Sequence, residues 1–238
     1  MQALVTGGAQ RVGRQIALSL AALGYDLVIH YHNSSDEALL LQKEIQAIGV
    51  KCYIFKADLF VATEVEAMFA YAVSQLSSLS LIVNNASIFE KISFYDTDME
   101  IFDRNFNIHL KAPFILTRSL ALMDKKAQVI NIIDTGIQGY NPDYFAYLLS
   151  KKSLLDLTKM TARVLGPKLR VNAIAPGSVL DPIDALGSNY MNNRANEIPL
   201  KLKGSVDYII QGIRYLLQNE FVTGECLFID GGAHLLAD

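Results

Sequence analysis

Tyr147 and Lys151 stand four residues apart in YLLSK, a spacing that puts both side chains on one face of a helix. A phenol ordinarily loses its proton near pH ~10, too high for efficient exchange at neutral pH, and an ammonium beside it lowers that value by favouring the phenolate. The pair therefore predicts a general acid for reduction of a C=O or C=N bond. A second candidate is TGGAQRVG, residues 6–13, set between the strand-like QALV and the helix-like RQIALSLAAL. Gly7, Gly8 and Gly13 permit a tight turn and close backbone approach, and the helix start offers unpaired N–H groups and positive partial charge. That suits a pyrophosphate, with Val12 and Arg11 beside it; a bare strand-to-helix turn is the plainer reading.

The elements that must position these groups alternate along the chain. Strands QALV, DLVIHY, KCYIF and SLIV are followed by helices over 11–23, 35–48, 61–77 and 97–123; QVINII, LRVNAIA and CLFI are separated by helices near 145–165 and 205–218. About seven strands separated by helices predict an α/β fold, a single-domain doubly wound parallel sheet of Rossmann type with helices on both faces. Continuous apolar strands fit burial on both sides. Such sheets bind ligands beyond the carboxyl ends of their strands. The polar signals collect there: TGGAQRVG, HNSS, ADL, NNAS, DTG and PGS. The polar segment 177–203, with Pro182 and Pro199, reads as a mobile flap over the site.

A free ribose 2′-hydroxyl usually meets an acid at the end of the second strand. This chain has His32, Asn33 and Ser34 there, and their convergence with Arg11 on a 2′-phosphate favours NADPH, although Asp36 and Glu37 lie close by. Asp58, beside Leu59, is placed either for the adenine edge or for an ordinary turn.

Taken together, TGGAQRVG, ADL at 57–59, NNA at 84–86, YLLSK, RVNAIAPG at 170–177 and DGG at 230–232 resemble, in order and spacing, the short-chain dehydrogenase/reductase family across nearly the whole chain. The resemblance implies hydride transfer from a nicotinamide, Tyr147 as proton donor, and Lys151 lowering its pKa while holding the nicotinamide ribose. It also implies a cofactor site lined by Asn85, Ala86, Pro176, Gly177 and Ser178, and a homotetramer whose C-terminal HLLAD reaches a neighbour. Two departures stand out. Asp134 occupies the position thirteen before the tyrosine where most members have serine, and His109 in IHLKAPF replaces an asparagine. With HYHNSSDEA and NNASIF, these resemble the pteridine reductases and the related dihydromonapterin reductases. That likeness implies Phe89 stacking on a pterin, Ser87 reaching the pterin or a cofactor phosphate, and an Asp134–Tyr147 unit protonating nitrogen. His109 then belongs either to a water-linked relay behind Lys151, titrating near neutrality, or to the core.

The expectation is an NADPH-dependent pterin reductase. The alternatives are a general carbonyl reductase acting on 3-oxoacyl thioesters and a cofactor-binding regulator without turnover. A chain of 238 residues with 51% hydrophobic content and net charge −3 predicts one soluble, cytoplasmic domain with a small-molecule substrate and neither nucleic-acid nor membrane partners. Cys52 and Cys226 lack metal-type spacing and read as buried free thiols, with no metal expected.

Overall fold

The protein is described by a computed structural model covering residues 1–182 and 188–236. Seven strands, β1 Gln2–Val5, β2 Asp26–Tyr31, β3 Cys52–Lys56, β4 Leu81–Asn84, β5 Ala127–Ile132, β6 Leu169–Pro176 and β7 Cys226–Ile229, form one sheet in the order β3-β2-β1-β4-β5-β6-β7. Every pairing is parallel. The helices are α1 Arg11–Ala22, α2 Ser35–Ala47, α3 Ala62–Gln75, α4 Met99–Phe106, α5 Ala112–Leu122, α6 Phe145–Leu165, α7 Tyr190–Glu197 and α8 Val206–Gln218. Period-two alternation divides each strand between two cores. Ala3 and Val5 meet α1, α2 and α8 through Ile16, Leu41 and Ile209, whereas Leu4 meets α3 and α5 through Met68 and Leu116. Both faces are apolar, which is why the strands read as continuous hydrophobic runs.

The strand order reverses between β1 and β4, so the loops leaving these two strands diverge and leave a crevice at their carboxyl ends. There the glycines answer first to packing. Gly7 has φ +58°, and a Cβ on it would lie 2.8 Å from the Cα of Ala86; one on Gly13 would lie 2.1 Å from the Gly7 carbonyl oxygen. The turn, the start of α1 and the end of β4 are thus in backbone contact.

The helices read over 97–123 are α4 and α5, joined by a π-helical turn at Asn107–Lys111. Pro113 explains it, because proline has no N–H to give the carbonyl of His109 four residues back and its ring crowds that carbonyl. The 177–203 segment, read as a flap rather than a core element, contains helix α7, which buries Met191 and Ala195. Only these two residues, four apart, mark its inner face, too little for a periodic signal. Residues 183–187 of that segment, and 237–238 of the C-terminal HLLAD, lie outside the described residues. Cys226 is half-buried rather than buried. No helix among the described residues is long and apolar enough to cross a membrane.

Candidate active site

A cavity of about 480 Å³ occupies the crevice. One wall carries Gly7, Arg11, Val12 and Gly13, with His32 and Ser34 beyond β2 and Asp58 and Leu59 beyond β3. The other carries Asn85, Ala86, Ser87 and Phe89 beyond β4, together with Tyr147, Lys151 and Pro176.

The glycine turn is held from both sides. Asn85 Nδ2 donates to the carbonyls of Thr6 at 3.1 Å and Gly7 at 3.0 Å. The backbone N–H groups of Asn85 and Ala86 both donate to Thr6 Oγ1, at 3.0 and 3.1 Å. From β2, His30 Nδ1 accepts the Gly7 N–H at 3.0 Å, and Nε2 lies 3.0 Å from the Ala57 carbonyl. Burial pushes the His30 pKa down to about 4, so the neutral ring carries its proton on Nε2 and donates it to Ala57. Thr6 and His30 were not among the sequence candidates; the available signal was one histidine inside the apolar run DLVIHY.

These residues fit an anionic dinucleotide. Gln10 precedes α1 without a side-chain capping bond, and no acid stands in the first turn. The Gln10 amide is instead engaged by Glu37 at 2.7 Å. An anion therefore meets uncapped N–H groups. Arg11 adopts φ +51° in the left-handed region and donates to the Asp181 carbonyl at 2.8 Å. Asp58 Oδ1 caps its own turn through the Phe60 N–H at 2.9 Å, while Oδ2 lies 4.0 Å from His32 Nε2. Three sequence candidates are not on this wall. Asn33 points to solvent. Gly177 packs against Asp230, where a Cβ would come within 2.8 Å of Cα. Ser178 faces Tyr190 and a neighbouring cavity of about 350 Å³.

On the reacting side, the Tyr147 hydroxyl donates to Asp134 Oδ2 at 2.8 Å, and Asp134 Oδ1 accepts the Gly136 N–H at 2.7 Å. Asp134 thus caps the short 3-10 turn Thr135–Gln138 and meets the cavity through the phenol. Lys151 is buried and, among the described residues, gives one hydrogen bond, to the Ile132 carbonyl at 3.0 Å, leaving two N–H donors without a partner there. Its ammonium lies 5.8 Å from the centre of the Tyr147 ring. The expected lowering of the tyrosine pKa is reversed here. Burial, then the Asp134 charge and hydrogen bond, hold Tyr147 well above its ordinary value. Lys151 is itself pushed down to about 8 by burial, against the pull of Asp134. Tyr147 is a neutral acid in this state.

Phe89 stacks on Tyr144 at 4.8 Å and meets Tyr147 edge-on at 4.9 Å. Tyr144, three residues before the catalytic candidate, was not recognised in the sequence because its spacing matches ordinary helix-start packing. His109 is buried, with Nε2 2.9 Å from Ser87 Oγ and 3.2 Å from the Ile88 nitrogen, and Nδ1 2.8 Å from Ser150 Oγ. Ser150 donates onward to the Tyr147 carbonyl at 2.7 Å. The chain from His109 therefore ends on a backbone oxygen and not on Lys151. Burial and the Lys151 charge hold the imidazole well below its ordinary pKa, so it does not titrate near neutrality.

A switch-point crevice that can take a dinucleotide on one side and present a buried acid on the other is the working end of a nicotinamide-dependent oxidoreductase. Comparison with known proteins agrees: the family model for enoyl-(acyl carrier protein) reductase matches residues 7–234. The chain belongs to the short-chain dehydrogenase/reductase family. It is 31% identical to the 3-oxoacyl-(acyl-carrier-protein) reductase of Staphylococcus epidermidis over 98% of both chains, and 38% identical to a short-chain dehydrogenase/reductase of Armillaria gallica over 97% of this chain and 94% of that one. Among solved structures, an alternative dihydrofolate reductase, FolM, from Brucella canis in complex with NADP superposes with a TM-score of 0.90 at 35% identity, over 98% of this chain and 94% of that one.

Proposed function

We propose that the protein is an NADPH-dependent reductase of a pterin, of dihydromonapterin, dihydropterin or dihydrofolate type. The observation that carries this reading is the Asp134 carboxylate bound to the Tyr147 hydroxyl at 2.8 Å. An ionised carboxylate is an acceptor only. It repels the oxygen of a simple ketone and receives the ring N–H and amino groups of a pterin. Phe89, exposed and stacked on the half-buried Tyr144 beside Tyr147, supplies an aromatic face for a flat ring. The NADP-bound FolM of Brucella canis supports the cofactor and the pterin class together.

NADPH, when bound, supplies the hydride that reduces the C=N carbon. The uncapped start of α1 and Arg11 would hold its phosphates, and the two remaining N–H donors of Lys151 its ribose hydroxyls. As the C=N carbon is reduced, its nitrogen becomes strongly basic and takes the proton from the Tyr147 hydroxyl. The high pKa of that phenol keeps it protonated beforehand and makes it reclaim a proton afterwards. Asp134 holds the hydroxyl through its hydrogen until the nitrogen draws that proton away, and Lys151 stabilises the charge left on the phenolate.

The staphylococcal relatives favour a second reading, reduction of a 3-oxoacyl thioester. The test follows NADPH oxidation with 7,8-dihydromonapterin, dihydrofolate and an acetoacetyl thioester. Asp134→Ser is expected to lower kcat/KM for the pterins about 10- to 100-fold, the range for a charged hydrogen bond. Wild-type turnover of the thioester with none of the pterins selects the second reading.

A further inference from the structure

The hydrogen bonds around His109 fix its tautomer. The Ser150 hydroxyl donates to the Tyr147 carbonyl at 2.7 Å, so at the 2.8 Å contact with His109 it is Nδ1–H that donates and Ser150 Oγ that accepts. The backbone N–H of Ile88 points at Nε2 from 3.2 Å and needs a bare nitrogen there. A proton on Nε2 would set two donors against each other and leave Nδ1 competing for the hydrogen that Ser150 gives to the carbonyl. The ring is therefore the Nδ1–H tautomer. It follows that in the 2.9 Å contact with Ser87 the serine is the donor. The other acceptors in reach of that hydroxyl among the described residues are the Ile88 carbonyl at 3.1 Å and the Tyr147 hydroxyl oxygen, again protein atoms. Ser87 has a single hydrogen, and each of these three destinations keeps it from a ligand. What Ser87 offers the cavity is its lone pairs.

We infer that His109 is a positioning residue: it takes the Ser87 hydroxyl proton and thereby makes Ser87 a fixed hydrogen-bond acceptor, selecting a ligand that presents an N–H at that wall. This rests on the pterin reading and deepens it. Ser87 and Asp134, both in hydrogen-bond reach of the Tyr147 hydroxyl, are both acceptors, so a ring bound beside it needs N–H donors, as an amino-substituted nitrogen heterocycle has. It also separates two uses of Ser87 that the sequence leaves open. A cofactor phosphate carries only acceptor oxygens and would need the proton that His109 holds; Ser87 therefore serves the substrate and not the phosphate. The family's usual asparagine at this position has an amide whose N–H₂ end could donate to Ser87 and release its hydrogen toward the cavity. Histidine in the Nδ1–H form cannot.

The experiment has two readouts. Nitrogen-15 NMR of the histidine rings in the ligand-free protein at neutral pH is expected to show His109 protonated on Nδ1; protonation on Nε2 or on both nitrogens overturns the assignment. Binding of 2,4-diaminopteridine to the NADP⁺-loaded protein is then measured by titration calorimetry for wild type, Ser87→Ala, His109→Asn and the double variant, with thermal melts and NADPH affinity as controls for folding. Each single change is expected to weaken the pteridine about tenfold, the upper end for one hydrogen bond. The double variant should be no weaker than Ser87→Ala, because both changes remove the same acceptor. NADPH affinity should stay within about twofold throughout. Unchanged pteridine binding in Ser87→Ala, additive losses, or a loss confined to NADPH affinity overturns the inference while leaving the pterin reading in place. A wild-type protein that binds no diaminopteridine overturns the reading, and the inference with it.

Discussion

Two buried histidines frame this site, and they do different work. His30 on β2 and His109 in the π-helical turn are both neutral, and each accepts one backbone N–H, from Gly7 and from Ile88. The second nitrogen of His30 lies on the Ala57 carbonyl, so every partner of that ring is main chain. Both sides of the His109 ring meet a serine, Ser150 within the core and Ser87 at the cavity. Burial and a depressed pKa are common to both rings. The partners decide whether such a ring is scaffold or reaches the chemistry, and the same division runs through their surroundings. The glycine-turn half is satisfied by backbone-directed bonds from Thr6, Asn85 and His30. The Tyr147 half joins side chain to side chain and can change state.

The largest expected effect tests that division on the reacting side. Tyr147→Phe removes the proton donor and keeps the ring against Phe89. Turnover should fall by about 10²- to 10⁴-fold, the usual contribution of general acid catalysis, with NADPH affinity within about twofold by fluorescence titration. A comparable loss of NADPH affinity would mean that the two halves are one unit. On the scaffold side the expected effect is on stability. With the His30 pKa down to about 4 in the folded state and near 6.5 unfolded, the unfolded chain binds more protons between these values. Stability is then complete above about pH 6.5 and lost as pH falls toward 4, by roughly 3 kcal/mol from this group. Urea melts at pH 7 and pH 4.5 measure it. His30→Gln, which retains an acceptor for Gly7 but cannot titrate, should flatten the difference; an acid loss that persists unchanged in this variant places it elsewhere.

This division also explains how much was legible in the sequence. The alternation of apolar runs with helical patterns carries the sheet, because burial on both faces writes itself into composition. TGG, NNA and YLLSK carry the crevice, because glycine contacts and helix spacing are local. What the sequence hid is set by contacts between distant segments. Lys151 lies four residues from Tyr147, and proximity suggested a lowered phenol pKa. The fold instead gives the ammonium to the Ile132 carbonyl, and the Asp134–Tyr147 pairing that the resemblance implied raises the phenol pKa. No spacing rule states which charge comes nearest. Nor does one state that Ser150, unremarkable in YLLSK, closes the His109 chain on a carbonyl.

The smallest expected effect sharpens the comparison through pH. Lys151, with its pKa down to about 8, is the group on the reacting side that changes charge in the mildly alkaline range. Tyr147 is held well above its ordinary value and His109 well below, so neither contributes a step there. Below about pH 8 the ammonium is charged and available to ribose hydroxyls; above it the charge is lost. NADPH affinity should therefore weaken as pH rises through this value, and the weakening should be absent in Lys151→Met. The Asp134 carboxylate raises the Lys151 pKa, so Asp134→Ser should move the midpoint to lower pH. Tyr147→Phe should leave the midpoint in place. A midpoint that follows the tyrosine instead would return the alkaline titration to the phenol, and would mean that the bound cofactor reverses the order of the two pKa values found in its absence.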